Sequence, residues 1–220
     1  KIKNDNKNYL EKYKLKSKIE IRNISSKYVV GILKLEKFFE IQKIENKFID
    51  TIKYRDNSIF IDPRNIKLGA RIISPIEKLH LTIKKLSLKI AEPAEYFAKA
   101  HSIGIPIKGL EKLIVQLFGL EANFEELQAI DFKKGCFIGQ ENTARMKLKN
   151  KLRRRLMPIK TNGKVVIGDD LKFNDTKVGK ILINNPYPFA LIKLFDPDFF
   201  DFKDKDLVSG NVKVNIINNF

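Results

Sequence analysis

The chain has 220 residues, 43% of them hydrophobic and 31% charged, with a net charge of +17 from 43 Lys and Arg against 26 Asp and Glu. This balance excludes an intrinsically disordered chain and provides for a sizeable core, in one large domain or two small ones. No apolar run approaches the length of a bilayer-spanning helix, the first residues are too polar for a signal peptide, and a single cysteine, Cys136, excludes an internal disulfide, so a reducing cytoplasm is the expected setting.

The positive charge is dispersed and mostly lysine, in a chain rich in Lys, Asn and Ile. A/T-rich coding produces that bias without selection for a partner. A basic surface attracts anions, but with no Arg-rich patch direct nucleic-acid binding is not expected.

In chain order, residues 8–16 read as a short helix with Tyr9, Leu10 and Tyr13 on one face, and residues 18–25 as a strand through the alternation of Ile19, Ile21 and Ile24. A second strand is expected over 28–35 and a helix over 36–44. Residues 51–55 and 58–62 form a predicted hairpin across Asp56-Asn57, ended by Pro63, and residues 68–73 a further strand. Residues 76–90 carry a helical apolar pattern. Pro93 stands where a helix begins, with Ala94 to His101 continuing it and Gly104 to Pro106 breaking it. His80 and His101 have no Cys, His or carboxylate at ligand spacing and read as structural; no metal site is expected. An apolar segment spans 110–120, followed by an acidic helix start with Glu121, Glu125 and Glu126.

Residues 131–145 hold the cysteine: Asp-Phe-Lys-Lys-Gly-Cys-Phe-Ile-Gly-Gln-Glu-Asn-Thr-Ala-Arg. Gly139, Gln140 and Glu141 read as a turn into a short helix. Two readings of Cys136 stay open from the residues alone. It is a small buried hydrophobe, or a thiolate favoured by Lys133, Lys134 and the helix start, able to attack electrophiles or bind metal. The basic run 147–155 reads as a solvated linker. Beyond it the pattern is β at 156–159, 164–167, 176–183, 189–195 and 211–217, with turn formers between, which suggests a small antiparallel barrel.

The segment Lys134-Gly135-Cys136-Phe137-Ile138-Gly139-Gln140-Glu141, followed by Ala144-Arg145, resembles the signature of the YgfZ-type folate-binding proteins, relatives of the glycine-cleavage T-protein (aminomethyltransferase) that act in iron–sulfur cluster assembly and repair. Residues 13–21, Asp62-Pro63-Arg64, Leu68-Gly69 with Arg71, and Leu120-Glu121-Ala122-Asn123 also resemble the family. The resemblance implies an α+β chain: a T-protein-like α/β folate-binding domain over 1–150, N-terminally incomplete against the family pattern, then a C-terminal antiparallel β-barrel over 151–220. It implies that Glu121 reads the pterin edge of tetrahydrofolate, a role that suits the forked acceptor geometry of a carboxylate. It further implies that Asn123 orients that loop, and that Gln140, Glu141 and Arg145 hydrogen-bond the cysteine loop or the folate.

T-proteins carry an aspartate where this chain has Cys136 and an arginine where it has Gln140. The expected function is therefore a folate-linked accessory factor in iron–sulfur cluster assembly or repair. In it Cys136, kept ionised by Lys134, transiently touches a cluster, a persulfide or a partner's cysteine. Its partners would be iron–sulfur assembly proteins or recipient enzymes. The alternatives are a tetrahydrofolate-dependent aminomethyltransferase and a folate-binding module associated with tRNA-modifying enzymes.

Overall fold

The computed structural model describes residues 2–44, 50–113, 116–135, 139–149 and 152–217, with the side chains of residues 2–6 and 44 left aside. It is an α+β chain that divides into two compact units, one made of Lys1–Asp62 and Gly69–Ile90, the other of Pro63–Leu68 and Ala91–Phe220. Compactness thus groups the residues just after 90 with the barrel, whereas the reading from sequence sets its boundary at 150.

The first unit opens with helix α1 (Ile2–Tyr13) and continues as β1 (Tyr28–Leu33), α2 (Leu35–Ile44), β2 (Thr51–Tyr54), β3 (Asn57–Ile61), β4 (Ala70–Pro75) and α3 (Ile76–Lys85). The four strands form an antiparallel sheet in the order β1-β4-β3-β2. Alternation decides its two faces. Leu33, Ile52, Ile59, Ala70 and Ile72 are buried together with Phe38 and Ile41 of α2, and each large side chain so buried contributes about 1.5–3 kcal/mol. Gly69 precedes β4 at a φ of +85°, and a Cβ there would lie 2.1 Å from the Leu33 carbonyl oxygen. Only glycine allows β4 to enter the sheet beside the end of β1.

Two expectations for this unit change. Residues 18–25 form no strand: the segment is turn and coil, with Ile19 and Ile24 more than half exposed. Alternation alone makes no strand where no neighbouring strand supplies ladder partners. The hairpin turn is Arg55-Asp56, one residue earlier than expected, with Arg55 in the left-handed region (φ +53°) and Tyr54 opposite Asn57. The one-residue shift places Asn57 on the buried face.

The second unit contains α4 (Pro93–Ser102), α5 (Glu141–Leu148) and a closed barrel of β5 (Arg154–Thr161), β6 (Asp170–Phe173), β7 (Thr176–Ile183), β8 (Phe189–Lys193), β9 (Leu207–Ser209) and β10 (Val212–Ile216), with the short helix α6 (Phe199–Phe202) before β9. Strand order around the barrel is β10-β5-β8-β7-β6-β9, every pairing antiparallel. Ile159, Leu171, Val178, Ile181, Ile192, Leu207 and Val214 fill it, with Phe199 and Phe202 of α6 packed into the same core. Residues 164–167, expected as a strand, are a loop; β6 and β9 take the places that close the barrel. Both are four residues or fewer and carry too little periodicity to be read from sequence.

Pro93 opens α4 as expected, with Glu92 before it. His101 near its end is fully buried. Its Nε2 accepts the Lys108 backbone N–H at 3.0 Å, so Nδ1 carries the proton and donates to the Tyr187 carbonyl at 3.2 Å, while Phe189 packs edge-on against the ring. Burial lowers its pKa, against the opposing pull of the Tyr187 carbonyl and with the help of the Lys108 ammonium.

Candidate functional site

The segment that carries the family resemblance lies in the second unit, where residues 119–128 form a succession of turns instead of the expected helix start. Glu121 is almost completely buried there. Its Oε1 accepts Arg154 Nε at 2.9 Å; its Oε2 accepts a second Arg154 nitrogen at 3.3 Å and the Phe118 backbone N–H at 3.1 Å. A buried carboxylate needs such donors, and a forked guanidinium fixes its plane as well as its charge. Of the roughly four lone-pair positions of a carboxylate, one on Oε1 is left.

Asn123 sits two residues on, in the left-handed conformation (φ +63°) that asparagine tolerates well. Its Nδ2 donates to the Leu156 carbonyl at 2.7 Å, and the Glu121 carbonyl accepts the Leu156 N–H at 2.8 Å. The turn therefore grips both polar groups of one residue near the start of β5. The Oδ1 of Asn123 is sealed from solvent and has no protein donor among the described residues.

The turn's other carboxylates meet the basic run. Lys147 of α5 pairs with Glu125, and Arg155 of β5 with Glu126 at 2.6 Å. Three members of a run read as a solvated linker are thus partners of three glutamates read as a free helix start. These ion pairs beside the candidate site are what sequence reasoning missed. The signal was present as an acidic cluster at 121–126 facing a basic one at 147–155, complementary in charge and separated by a single loop and helix. Between them lies a cleft of about 360 Å³, with Leu120, Met146 and Leu152 as its apolar wall and the two ion pairs as its polar one. That volume suits a small organic molecule.

The other predicted site residues fall as follows. Gly139 turns the chain with a φ of +89°, and α5 begins at Glu141 as expected, with Gln140 half-buried before it. Glu141 and Arg145 are exposed, one helical turn apart on α5. Lys134 is exposed, just after a turn in which Asp131 Oδ1 accepts the Lys133 N–H at 2.8 Å. Cys136 lies outside the described residues. The cleft is lined from the turn that holds Glu121 and Asn123 and from α5, but none of the predicted residues Glu121, Asn123, Gln140, Glu141 and Arg145 is itself part of its lining. Arg64 and Arg71, singled out by resemblance, are tied within their own units. Arg64 donates to the Tyr96 hydroxyl at 2.9 Å, and Arg71 Nε to the buried Asp62 carboxylate at 2.9 Å.

The α+β architecture, with its four-stranded antiparallel sheet and closed six-stranded barrel, has a counterpart among solved structures. The chain superposes on the glycine cleavage system aminomethyltransferase T of Bartonella henselae with a TM-score of 0.52 at 11% sequence identity, over 81% of this chain and 55% of that one. No protein-family model matches the chain. Among curated proteins, an iron–sulfur cluster assembly factor IBA57 homolog, mitochondrial, of Dictyostelium discoideum is 30% identical over 152 residues, 69% of this chain and 37% of that protein. A tRNA-modifying protein YgfZ of Buchnera aphidicola is 28% identical over 162 residues, 71% of this chain and 50% of that protein. The chain thus spans between about a third and a half of the length of these two relatives. By sequence and fold it is a YgfZ/IBA57-type protein.

Proposed function

We propose that this chain is a folate-linked accessory factor in iron–sulfur cluster assembly or repair. The observation that carries the reading is the 152-residue match to an iron–sulfur cluster assembly factor, which takes in more than two thirds of the chain. In this reading the Lys134-Gly135-Cys136 loop presents a thiolate that touches a cluster, a persulfide or a partner's cysteine in passing. A single thiolate does not hold a cluster, which is commonly bound by several, so the cluster is cargo and the partner supplies the remaining ligands. Partners are assembly proteins or the enzymes that receive clusters.

Tetrahydrofolate is the proposed cofactor. In this reading Glu121 meets the pterin's amino edge through the one acceptor position left on Oε1, a single bond in place of the fork expected from sequence, because Arg154 and the Phe118 N–H occupy the other three. Asn123 holds the turn against β5, and Gln140, Glu141 and Arg145 supply hydrogen bonds around the cysteine loop. Tetrahydrofolate contributes a one-carbon or redox-active pterin when bound; the chain's residues contribute orientation and charge. The family division at 1–150 and 151–220 belongs to this proposal, as does a reducing compartment. We propose the cytoplasm for the latter, although the assembly-factor relative is mitochondrial by name.

A second reading rests on the tRNA-modifying relative: the same folate-linked protein would serve tRNA-modifying enzymes that carry clusters. An aminomethyltransferase is supported by fold likeness alone.

The test is complementation. In cells lacking their own YgfZ/IBA57-type protein, this chain is expected to restore iron–sulfur enzyme activity, and Cys136→Ala is expected to abolish the rescue at equal expression. Full rescue by Cys136→Ala would remove the thiolate from the proposal. In a binding titration with tetrahydrofolate, Glu121→Gln is expected to weaken affinity at least about tenfold. Absence of binding by the unsubstituted chain would remove folate.

A further inference from the structure

The sheet of the first unit has two edges, and they are built differently. β2 is four residues long and carries the exposed Lys53. Short edge strands and outward lysines keep foreign strands away. β1 has neither device. It is six residues, Tyr-Val-Val-Gly-Ile-Leu, without charge or proline, and it pairs with β4 without a bulge. The segment before it does not cover it, since residues 18–25 are turn and coil.

The ladder fixes where the polar groups of β1 point. The Lys27 carbonyl accepts the Ile76 N–H at 2.9 Å. In the register that follows, from Tyr28 opposite Pro75 to Leu33 opposite Ala70, the N–H and C=O groups of Val29, Gly31 and Leu33 turn toward β4. Those of Tyr28, Val30 and Ile32 turn outward, and they meet no partner among the described residues. The same three residues send their side chains to the face opposite the core, where all are exposed, Val30 most at 58%. Ile73, opposite Val30 in β4, continues that apolar face. Unused ladder positions and exposed apolar side chains therefore coincide on one strand.

Charge selects the occupant. Lys27 and Lys34 bracket β1, both exposed and neither with a carboxylate partner among the described residues. A second copy of the chain would bring another +17, and β1 laid in register on β1, in either direction, sets lysine beside lysine. A strand with a carboxylate at each end answers both lysines.

We propose that β1 is the docking edge for an extended segment of a partner protein, with apolar residues at alternate positions and an acidic residue at each end. The segment adds a fifth strand. Main-chain bonds to Tyr28, Val30 and Ile32 supply affinity, its apolar side chains lie beside theirs, and Lys27 and Lys34 set the preference for acidic ends. The proposal stands apart from the iron–sulfur reading, since it uses no residue of that site.

The probe is a fluorescent eight-residue peptide in which valine and threonine alternate between two terminal glutamates, titrated by anisotropy into the full 220-residue chain. Saturable binding is expected. The same peptide with lysine ends, or N-methylated at its three valines, should bind at least about tenfold more weakly. Proline is tolerated in an edge strand where the N–H faces solvent, so Val30→Pro is expected to fold, checked by melting, and to weaken binding at least about tenfold. Lys27→Glu combined with Lys34→Glu should weaken it by about tenfold. If Val30→Pro does not fold, the N-methylated peptide and the charge variant decide. No saturable binding, equal affinity for the N-methylated peptide, or affinity unchanged in the folded variants would overturn the proposal. A dimer of the unsubstituted chain in sedimentation, lost in Val30→Pro, would overturn it in favour of a second copy.

Discussion

Glu121 is the residue whose surroundings say most about the candidate site. Its carboxylate is buried, while the Arg154 side chain that answers it is about half exposed. Removing the arginine leaves an uncompensated charge in the interior, whereas Glu121→Gln keeps an acceptor for the Phe118 N–H and loses only the charge. Arg154→Leu is therefore expected to lower stability by about 2 kcal/mol, short of the range for a fully buried pair because one partner is solvated. Glu121→Gln should cost less. Urea unfolding of the two variants side by side checks the order; equal losses would mean that the ion pair contributes little. His101 makes a different prediction. Its folded pKa is depressed by burial, so the neutral form is the one the fold accepts. As pH falls through the unfolded value of about 6.5, the unfolded chain takes up a proton that the folded chain refuses, so this contribution is full above that pH and lost below it. Stability should fall between about pH 7 and about pH 5. His101→Phe should flatten that dependence, although it is itself less stable through the loss of bonds to Tyr187 and Lys108. An unchanged slope in the variant would assign the dependence elsewhere.

At the scale of elements, two glycines with nearly the same backbone angle separate packing from conformation. Gly69 and Gly139 have φ values of +85° and +89°, but a Cβ at Gly69 meets the Leu33 carbonyl oxygen while one at Gly139 meets nothing within 4 Å. Gly139→Ala is expected to cost about 1 kcal/mol, the left-handed penalty alone. Gly69→Ala should cost roughly 3 kcal/mol or more, because β4 must also move away from β1. Thermal melts of the two variants read the difference directly; similar shifts would show that the chain relaxes at Gly69. The elements also show where local pattern suffices. The hairpin, α2, α4, α5 and the long barrel strands β5, β7 and β8 were all legible, since each carries its own periodicity or punctuation. Residues 18–25 had the alternation of a strand and no strand to pair with among the described residues. β6 and β9 had partners and almost no pattern.

For the whole molecule the governing quantity is a charge of +17. The pairings at Glu121, Glu125 and Glu126 gather part of the basic run into the fold, which leaves dispersed lysines as the outward field. Dispersed lysines bind polyanions without reading them. Affinity for an arbitrary RNA is expected to be weak and to fall steeply between about 50 and about 200 mM salt, as counterion release requires. Tight binding to one tRNA that resists salt would contradict this and favour a dedicated reader.

Composition, turn residues and the cysteine-bearing segment were enough to read the α+β class, the barrel and the YgfZ type, because those properties reside in neighbouring residues and their order. Tertiary structure alone decided that Glu121 is clamped by Arg154, that Asn123 grips Leu156, that Asn57 faces inward, and that two short strands close the barrel. Each of these joins residues that are 25 or more positions apart, or depends on which face of a sheet a one-residue shift selects. Distance and burial create such contacts, and neither is written in a local stretch of chain.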